Sequence, residues 1–247
     1  MAGAGKTLVM AGAREAHSVI NGLVSRGRDV VASLPEPERV FGPLPVKTRV
    51  GAFGSVAEMR TWMQAEEITT LIDAGHAFDD QVTRTAFLAS SSMDVRYLRV
   101  LRPPWVATGQ DSWASYPNVR KAVEAIGPGL VVFSNTGWAS LPDYADFKGR
   151  IVYLRQTHEV QQASPYQFLK FLSGKPPFSQ QQEEVLFRDL GVARLLCRNV
   201  GGAASMSKLL AARKLGIRVL MVDRPPLPVG AKSADTVAEA LAWEANG

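Results

Sequence analysis

One pattern recurs along nearly the whole chain and restricts the folds open to it. A short apolar run of strand type is followed by a break of small or polar residues, and then by an amphipathic segment of helical period. The clearest copy runs from Ile68 to Gln81. Ile68-Thr69-Thr70-Leu71-Ile72 reads as a strand, the chain breaks at Asp73 to His76, and Phe78, Val82, Ala86 and Ala89 then share one helical face. Repeated strand, loop and helix units predict parallel sheets with right-handed crossovers. In such sheets the loops leaving the carboxyl ends of the strands form the ligand crevice, which puts His76 at the mouth of a site.

Other segments follow the same plan. Thr7 to Ala11 reads as a strand that enters Gly12-Ala13-Arg14-Glu15, and Ala16, Val19, Ile20, Leu23 and Val24 then mark a helix that stops at Gly27. Strands are expected at Asp29 to Ser33, Val46 to Val50 and Val95 to Leu101. Ser55 with Glu58 forms a capping-box pair ahead of Val56, Met59 and Met63. A helix is expected from Pro117 to Ile126, and Gly127-Pro128-Gly129 reads as a boundary that divides the chain into domains 1–128 and 129–247. Beyond it come strands at Leu130 to Ser134 and Gly149 to Leu154, and a helix capped at Ser179 that carries Val185, Leu186 and Leu190 to Gly191. The run Leu190 to Cys197 then recurs as Leu215 to Val222: a helix end, a glycine cap and a buried strand. The expected fold is α/β, two doubly wound parallel-sheet domains with a cleft between them.

Composition narrows the partners. The 247 residues are 46% apolar, enough to bury a real core. The net charge of +5 is carried by residues 150–247, the first 149 being balanced, and a basic half implies an anionic partner. No Lys/Arg-rich run or nucleic-acid motif accompanies it, so nucleic acid is not expected. No apolar run approaches the roughly 20 residues of a membrane span, and Met1 to Lys6 is too short and glycine-rich for a signal peptide. The expectation is a cytoplasmic monomer or homodimer that does not engage membranes. The single cysteine, Cys197, sits in an apolar run and reads as an inert buried thiol, which excludes disulfides and cysteine-based metal sites.

The best phosphate candidate is the loop from Arg198 to Lys208. Gly201 and Gly202 let backbone N–H groups approach an anion at a helix start, and Ser205, Ser207 and Lys208 add donors. Ser134-Asn135-Thr136-Gly137 is a shorter loop of the same kind. After the first strand Gly12 stands alone, without the G-x-G-x-x-G fingerprint. No nucleophilic triad, H-E-x-x-H helix or spaced carboxylate pair is present, which favours hydride transfer, where the cofactor carries the reactive atom. His17 falls on a helix and reads as structural; His76 and His158 follow strands. Arg14, Arg102 and Arg155 lie at strand ends, where guanidinium groups can grip carboxylates or phosphates. Trp105 and Trp138 could stack on a flat ring or simply pack.

Taken in order, these landmarks resemble the precorrin-6A reductase family of cobalamin (vitamin B12) biosynthesis. The residues that carry the resemblance are Gly12-Ala13-Arg14-Glu15-Ala16, Ile72-Asp73-Ala74-Gly75-His76-Ala77-Phe78, Arg102-Pro103-Pro104-Trp105, Thr136-Gly137, Pro177-Phe178-Ser179, Gly201-Gly202 with Lys208, and Asp223-Arg224-Pro225. The family pattern is departed from at Ala13-Arg14, at Gly75 and Ala77 around His76, and at Asn199-Val200. The resemblance implies two Rossmann-like domains and an NADPH-dependent reduction of one double bond of the precorrin-6A macrocycle to precorrin-6B, with no metal. It also implies a tetrapyrrole polycarboxylate held by Gly12, Arg14, Glu15, His76, Phe78, Arg102 and Trp105, with His76 as proton donor if a side chain supplies the proton. NADPH would be held by Ser134, Asn135, Thr136, Gly137, Arg155, Thr157, Arg198, Asn199, Gly201, Gly202, Ser205 and Lys208, and its 2'-phosphate would fall to Lys208, Arg198 or Arg155. Two rivals stand beside it. One is another NAD(P)-dependent reductase, for which Tyr166 and Lys170 have the short-chain dehydrogenase spacing but a poor setting after Pro165. The other is a nucleotide-sensing module without turnover.

Overall fold

The structure, a computed structural model, describes residues 5–36, 42–157, 160 and 162–246. His158 lies outside them. The chain begins with strands β1 (Lys6–Ala11), β2 (Val30–Leu34), β3 (Thr48–Val50), β4 (Ile68–Ala74) and β5 (Arg96–Val100), and helices α1 (Glu15–Val24), α2 (Val56–Ala65) and α3 (Asp80–Ser91). There follow β6 (Trp113–Tyr116), α4 (Val119–Glu124), β7 (Val131–Ser134), β8 (Ile151–Gln156), β9 (Leu169–Ser173), α5 (Gln180–Asp189), β10 (Arg194–Arg198), α6 (Ser207–Lys214) and β11 (Arg218–Val222). Short 3-10 helices occupy Trp138–Tyr144 and Ala203–Ser205, and the chain closes with β12 (Ser233–Ala234) and α7 (Val237–Ala245).

Two six-stranded sheets result, ordered β12-β5-β4-β1-β2-β3 and β6-β11-β10-β7-β8-β9, and every pairing described is parallel. In the first sheet the chain runs from β1 outward to β3 and then through β4 and β5 the other way, and in the second it runs from β7 outward to β9 and then through β10 and β11, with β12 and β6 completing the far edges. The switch points lie between β1 and β4 and between β7 and β10, which is the Rossmann order. Helices cover the faces, so strands such as β2 are buried at every residue. On α1 the buried residues Ala16, Val19, Ile20 and Leu23 keep the helical spacing read from the sequence. Gly191 and Gly216 take left-handed φ values of +64° and +67°, as the repeated glycine caps require.

The domain boundary differs from the expectation. The compact units are residues Met1–Pro103 with Pro225–Gly247, and Pro104–Arg224, so Gly127 to Gly129 lies inside the second unit. The reason is hydrogen bonding between strands far apart in sequence. β6, a strand not expected from the sequence and lying within residues 1–128, pairs with β11, while β12, likewise unexpected and lying within 129–247, pairs with β5. α7 then packs on α1, where a Cβ at Gly22 would come within 2.5 Å of Leu241 Cδ1. Arg28 pairs with Glu244 at 2.9 Å and Arg96 donates to the Trp243 carbonyl at 2.8 Å. The sixth strand of each sheet is thus contributed out of sequence order. β6 and β12 have four and two residues, too few to show an alternation.

Candidate functional site

In the first unit the loops after β1 and β4 meet at the switch point. A Cβ on Gly12 would lie 3.2 Å from the His76 nitrogen and 3.3 Å from Gly75 Cα, so glycine permits this approach. Ala13 N–H donates to the Ala74 carbonyl at 3.1 Å. The Gly75-His76 turn is built on a buried ion pair that the sequence did not single out. Arg99 on β5, 1% exposed, donates through Nη1 to Asp73 Oδ1 at 2.7 Å and to the carbonyls of Asp73 at 3.0 Å and Gly75 at 3.2 Å. Its Nη2 donates to the His76 carbonyl at 3.0 Å. Asp73 accepts in addition from Thr83 Oγ1 at 2.8 Å, Tyr97 Oη at 3.0 Å and the Gly75 nitrogen at 3.0 Å. Burial, reinforced by the Asp73 carboxylate, pushes the Tyr97 phenol far above its usual range, so it stays a donor.

His76 is half-buried, and its Nδ1 accepts from the Phe78 N–H at 3.3 Å. A neutral ring in that arrangement carries its proton on Nε2. The His76 and Phe78 rings lie 6.1 Å apart. Arg102 pairs with Glu15 at 3.1 Å, and Arg14 is exposed at the start of α1. Gly12, Arg14, Glu15, His76, Phe78 and Arg102 all fall on or beside the carboxyl edge of this sheet. Trp105 does not. It belongs to the second unit, is 7% exposed, and its indole donates to the Gly202 carbonyl at 2.9 Å.

In the second unit a cavity of about 240 Å³ opens at the carboxyl ends of β7, β8 and β10, and Asn135, Gly137, Arg155, Thr157, Ser205 and Lys208 of the expected residues line it. Gly137, Gly201 and Gly202 take φ values of +84°, +69° and +78°, where a Cβ would be strained. Lys208 is 4% exposed; its Nζ donates to the Ser205 carbonyl at 2.5 Å and lies 5.2 Å from the centre of the Trp105 ring. Burial holds its ammonium below the usual lysine range. A cation so poorly solvated gains most from an anion brought to it.

Four of the expected cofactor residues already have protein partners. Arg155 is neutralised by Glu183 in a bidentate pair at 2.6 and 2.9 Å and lies against the rings of Phe133 and Phe178, so Lys208 is the better seat for a phosphate. Ser134 and Thr136 are fully buried in a hydroxyl network with Tyr144 and Ser140, at 2.6 Å for Ser134–Tyr144 and 2.7 Å for Thr136–Ser140, which shapes the loop from beneath. Burial pushes the Tyr144 phenol up to about 12. Asn199 is 8% exposed and clamps the Trp105 backbone, accepting from its nitrogen at 2.8 Å and donating to its carbonyl at 3.0 Å. Arg198 extends beside Gly137, where a Cβ would lie 4.0 Å from its Nη1. Trp138 stacks on Phe171 at 5.1 Å.

Gln156, Phe178 and Glu183 also line the cavity and were not among the residues expected to hold the cofactor. Asn135 Oδ1 and Gln156 Nε2 are buried there with no hydrogen-bond partner among the described residues. Helix capping follows the same division. α2, α4, α5 and α7 each receive a side-chain cap, from Ser55, Asn118, Ser179 and Thr236. α1, α3, α6 and the 3-10 helix after β7, which follow the four switch-point strands, receive none. A cap contributes about 1 kcal/mol, and where it is omitted the first-turn N–H groups stay available to an anion. Cys197 is fully buried and its thiol is pushed up to about 11 by burial. Ellman's reagent is expected to leave it untouched in the native chain and to titrate it in denaturant; native labelling would mean that β10 opens.

Switch-point loops on two Rossmann-order sheets, one beside a buried cation, place the chain in the two-domain α/β class whose loops are suited to a dinucleotide. The model of the precorrin-6x reductase CbiJ/CobK family matches residues 6–245, and the chain belongs to that family. It is 30% identical to the precorrin-6A reductase of Rhodobacter capsulatus over 90% of this chain and 89% of that one, and 31% identical to that of Rhodococcus erythropolis over 96% of each. The solved structure of CobK precorrin-6A reductase superposes with a TM-score of 0.88 at 29% identity, covering 98% of this chain and 96% of that one. No helix among the described residues is long and apolar enough to cross a membrane.

Proposed function

We propose that the chain reduces a C=C bond of precorrin-6A to give precorrin-6B with NADPH as reductant, in the cytoplasm. Its membership of the precorrin-6x reductase family makes it an oxidoreductase of a CH–CH group in cobalamin biosynthesis. The observation that carries the choice of reductant is the cavity of the second unit, where a buried, partly desolvated Lys208 faces space at a Rossmann switch point. At about 240 Å³ it falls below the roughly 300–1,000 Å³ of a whole small-molecule site, and so it suits one phosphorylated end of a dinucleotide.

When bound, the dihydronicotinamide supplies a hydride to one carbon of the double bond and leaves as NADP+. The neighbouring carbon, or the conjugated system, takes a proton to complete the balance. Lys208 Nζ, with Thr157, Ser205 and the N–H groups of the Gly201-Gly202 turn, would hold phosphate oxygens. On the first unit, Arg14, Arg102 and the uncapped first turns of α1 and α3 would hold the acetate and propionate fringe. His76 is oriented to offer the Nε2 proton, because Nδ1 is engaged by Phe78.

The test is direct. Purified protein mixed with NADPH and precorrin-6A is expected to oxidise one NADPH per macrocycle and to raise the product mass by two hydrogens. Folded protein that binds NADPH without that change would favour a nucleotide sensor; oxidation with other acceptors alone would favour a different reductase.

A further inference from the structure

We infer that Gln156 contributes, beside Lys208, to selecting NADPH over NADH, its amide Nε2–H donating to the 2'-phosphate on the adenosine ribose. This rests on the reading of the second unit as the dinucleotide site. Gln156 is the last residue of β8, the strand next to β7 at the switch point, and it follows Gly137 by roughly the 20 residues that separate the glycine turn from the ribose-reading position in Rossmann units. Sheets that bind NAD place Asp or Glu there, where the carboxylate accepts from the ribose 2'-hydroxyl and repels a 2'-phosphate. Here the position is a neutral amide.

The surroundings support a donor role. Gln156 is 4% exposed, it lines the cavity, and its Nε2 is buried without a hydrogen-bond partner among the described residues. A buried donor left unsatisfied costs about as much as a hydrogen bond contributes, so a bound acceptor removes a standing penalty. Asn135 Oδ1, one strand over and equally unpartnered, is suited to accept from a ribose hydroxyl. The cavity's own carboxylate, Glu183, is held by Arg155, so it does not oppose a phosphate as a free anion would. Lys208 supplies the cationic side of the same cavity.

The experiment is calorimetric titration of NADP+ and NAD+ into wild type, Gln156→Leu and Gln156→Glu, with no substrate or turnover. A hydrogen bond to a charged group is worth more than one to a neutral group, so Gln156→Leu is expected to lower the NADP+ to NAD+ affinity ratio about tenfold. Gln156→Glu, which adds a repelling carboxylate, is expected to lower it about a hundredfold or more and to leave NAD+ binding at least as tight. Unfolding midpoints accompany each variant. If burying the glutamate prevents folding, the leucine variant decides alone. A ratio within twofold of wild type in folded Gln156→Leu, or equal weakening of both ligands, overturns the assignment while leaving the dinucleotide site in place. Wild type that binds neither ligand overturns both.

Discussion

Arg99→Met is expected to lower the stability of the first unit by about 3–5 kcal/mol, because it leaves Asp73 as an uncompensated charge that is 0% exposed. The guanidinium makes four hydrogen bonds to Asp73, Gly75 and His76, and those carbonyls lose their donor with it. The double variant Arg99→Met with Asp73→Leu removes both charges and is expected to recover much of the loss, since replacing a whole buried pair by apolar groups is often near neutral. It leaves the Thr83 and Tyr97 hydroxyls unsatisfied, so recovery stays partial. Urea unfolding of the four proteins of this cycle measures both effects. A loss under about 1 kcal/mol for Arg99→Met would mean that water or a shifted side chain already serves Asp73.

The second large effect is on ligand binding. Lys208→Met keeps the length and apolar packing of the side chain against Trp105 and removes the charge. It is expected to weaken NADPH about ten- to one-hundredfold, the cost of one charge-assisted bond, and NADH less. Its sign with pH follows from the lowered pKa. The phosphate binds the protonated lysine, so affinity falls as pH rises through the Lys208 pKa, and does so at a lower pH than for an ordinary lysine near 10.4. That alkaline limb should be missing in Lys208→Met. Equal loss of NADH and NADPH would move Lys208 away from the 2'-phosphate to a phosphate that both ligands share.

The parts of the site that were legible share one property: they are local. Gly12, His76, Gly137, Gly201 and Lys208 each stand in a strand–loop–helix unit whose period is visible in a dozen residues, so their place at a strand's carboxyl end follows from alternation. What stayed hidden depends on partners remote in sequence. Arg155 reads as an open guanidinium until Glu183, on a helix after another strand, is brought to it. Trp105 reads as a loop aromatic until Asn199 and Gly202 fold over it. Arg99 sits in a run that reads as an ordinary strand, and its buried pairing with Asp73 requires β4 and β5 to lie side by side with Asp73 opposite Arg99.

The sequence by itself determined the α/β class, the parallel sheets and the positions of the loops at the strands' carboxyl ends, because side-chain periodicity and glycine conformation act within a few residues. Only the tertiary structure decided which units those elements belong to, since β6 and β12 are too short to hold a place by their own pattern and are fixed by hydrogen bonds to β11 and β5. It also decided which polar groups face the cavity. Ser134, Thr136 and Asn199 are satisfied by neighbours, whereas the Asn135 and Gln156 amides keep unpaired atoms. Both outcomes turn on desolvation, and the cost of a buried polar atom is set by what folding places within hydrogen-bond reach of it.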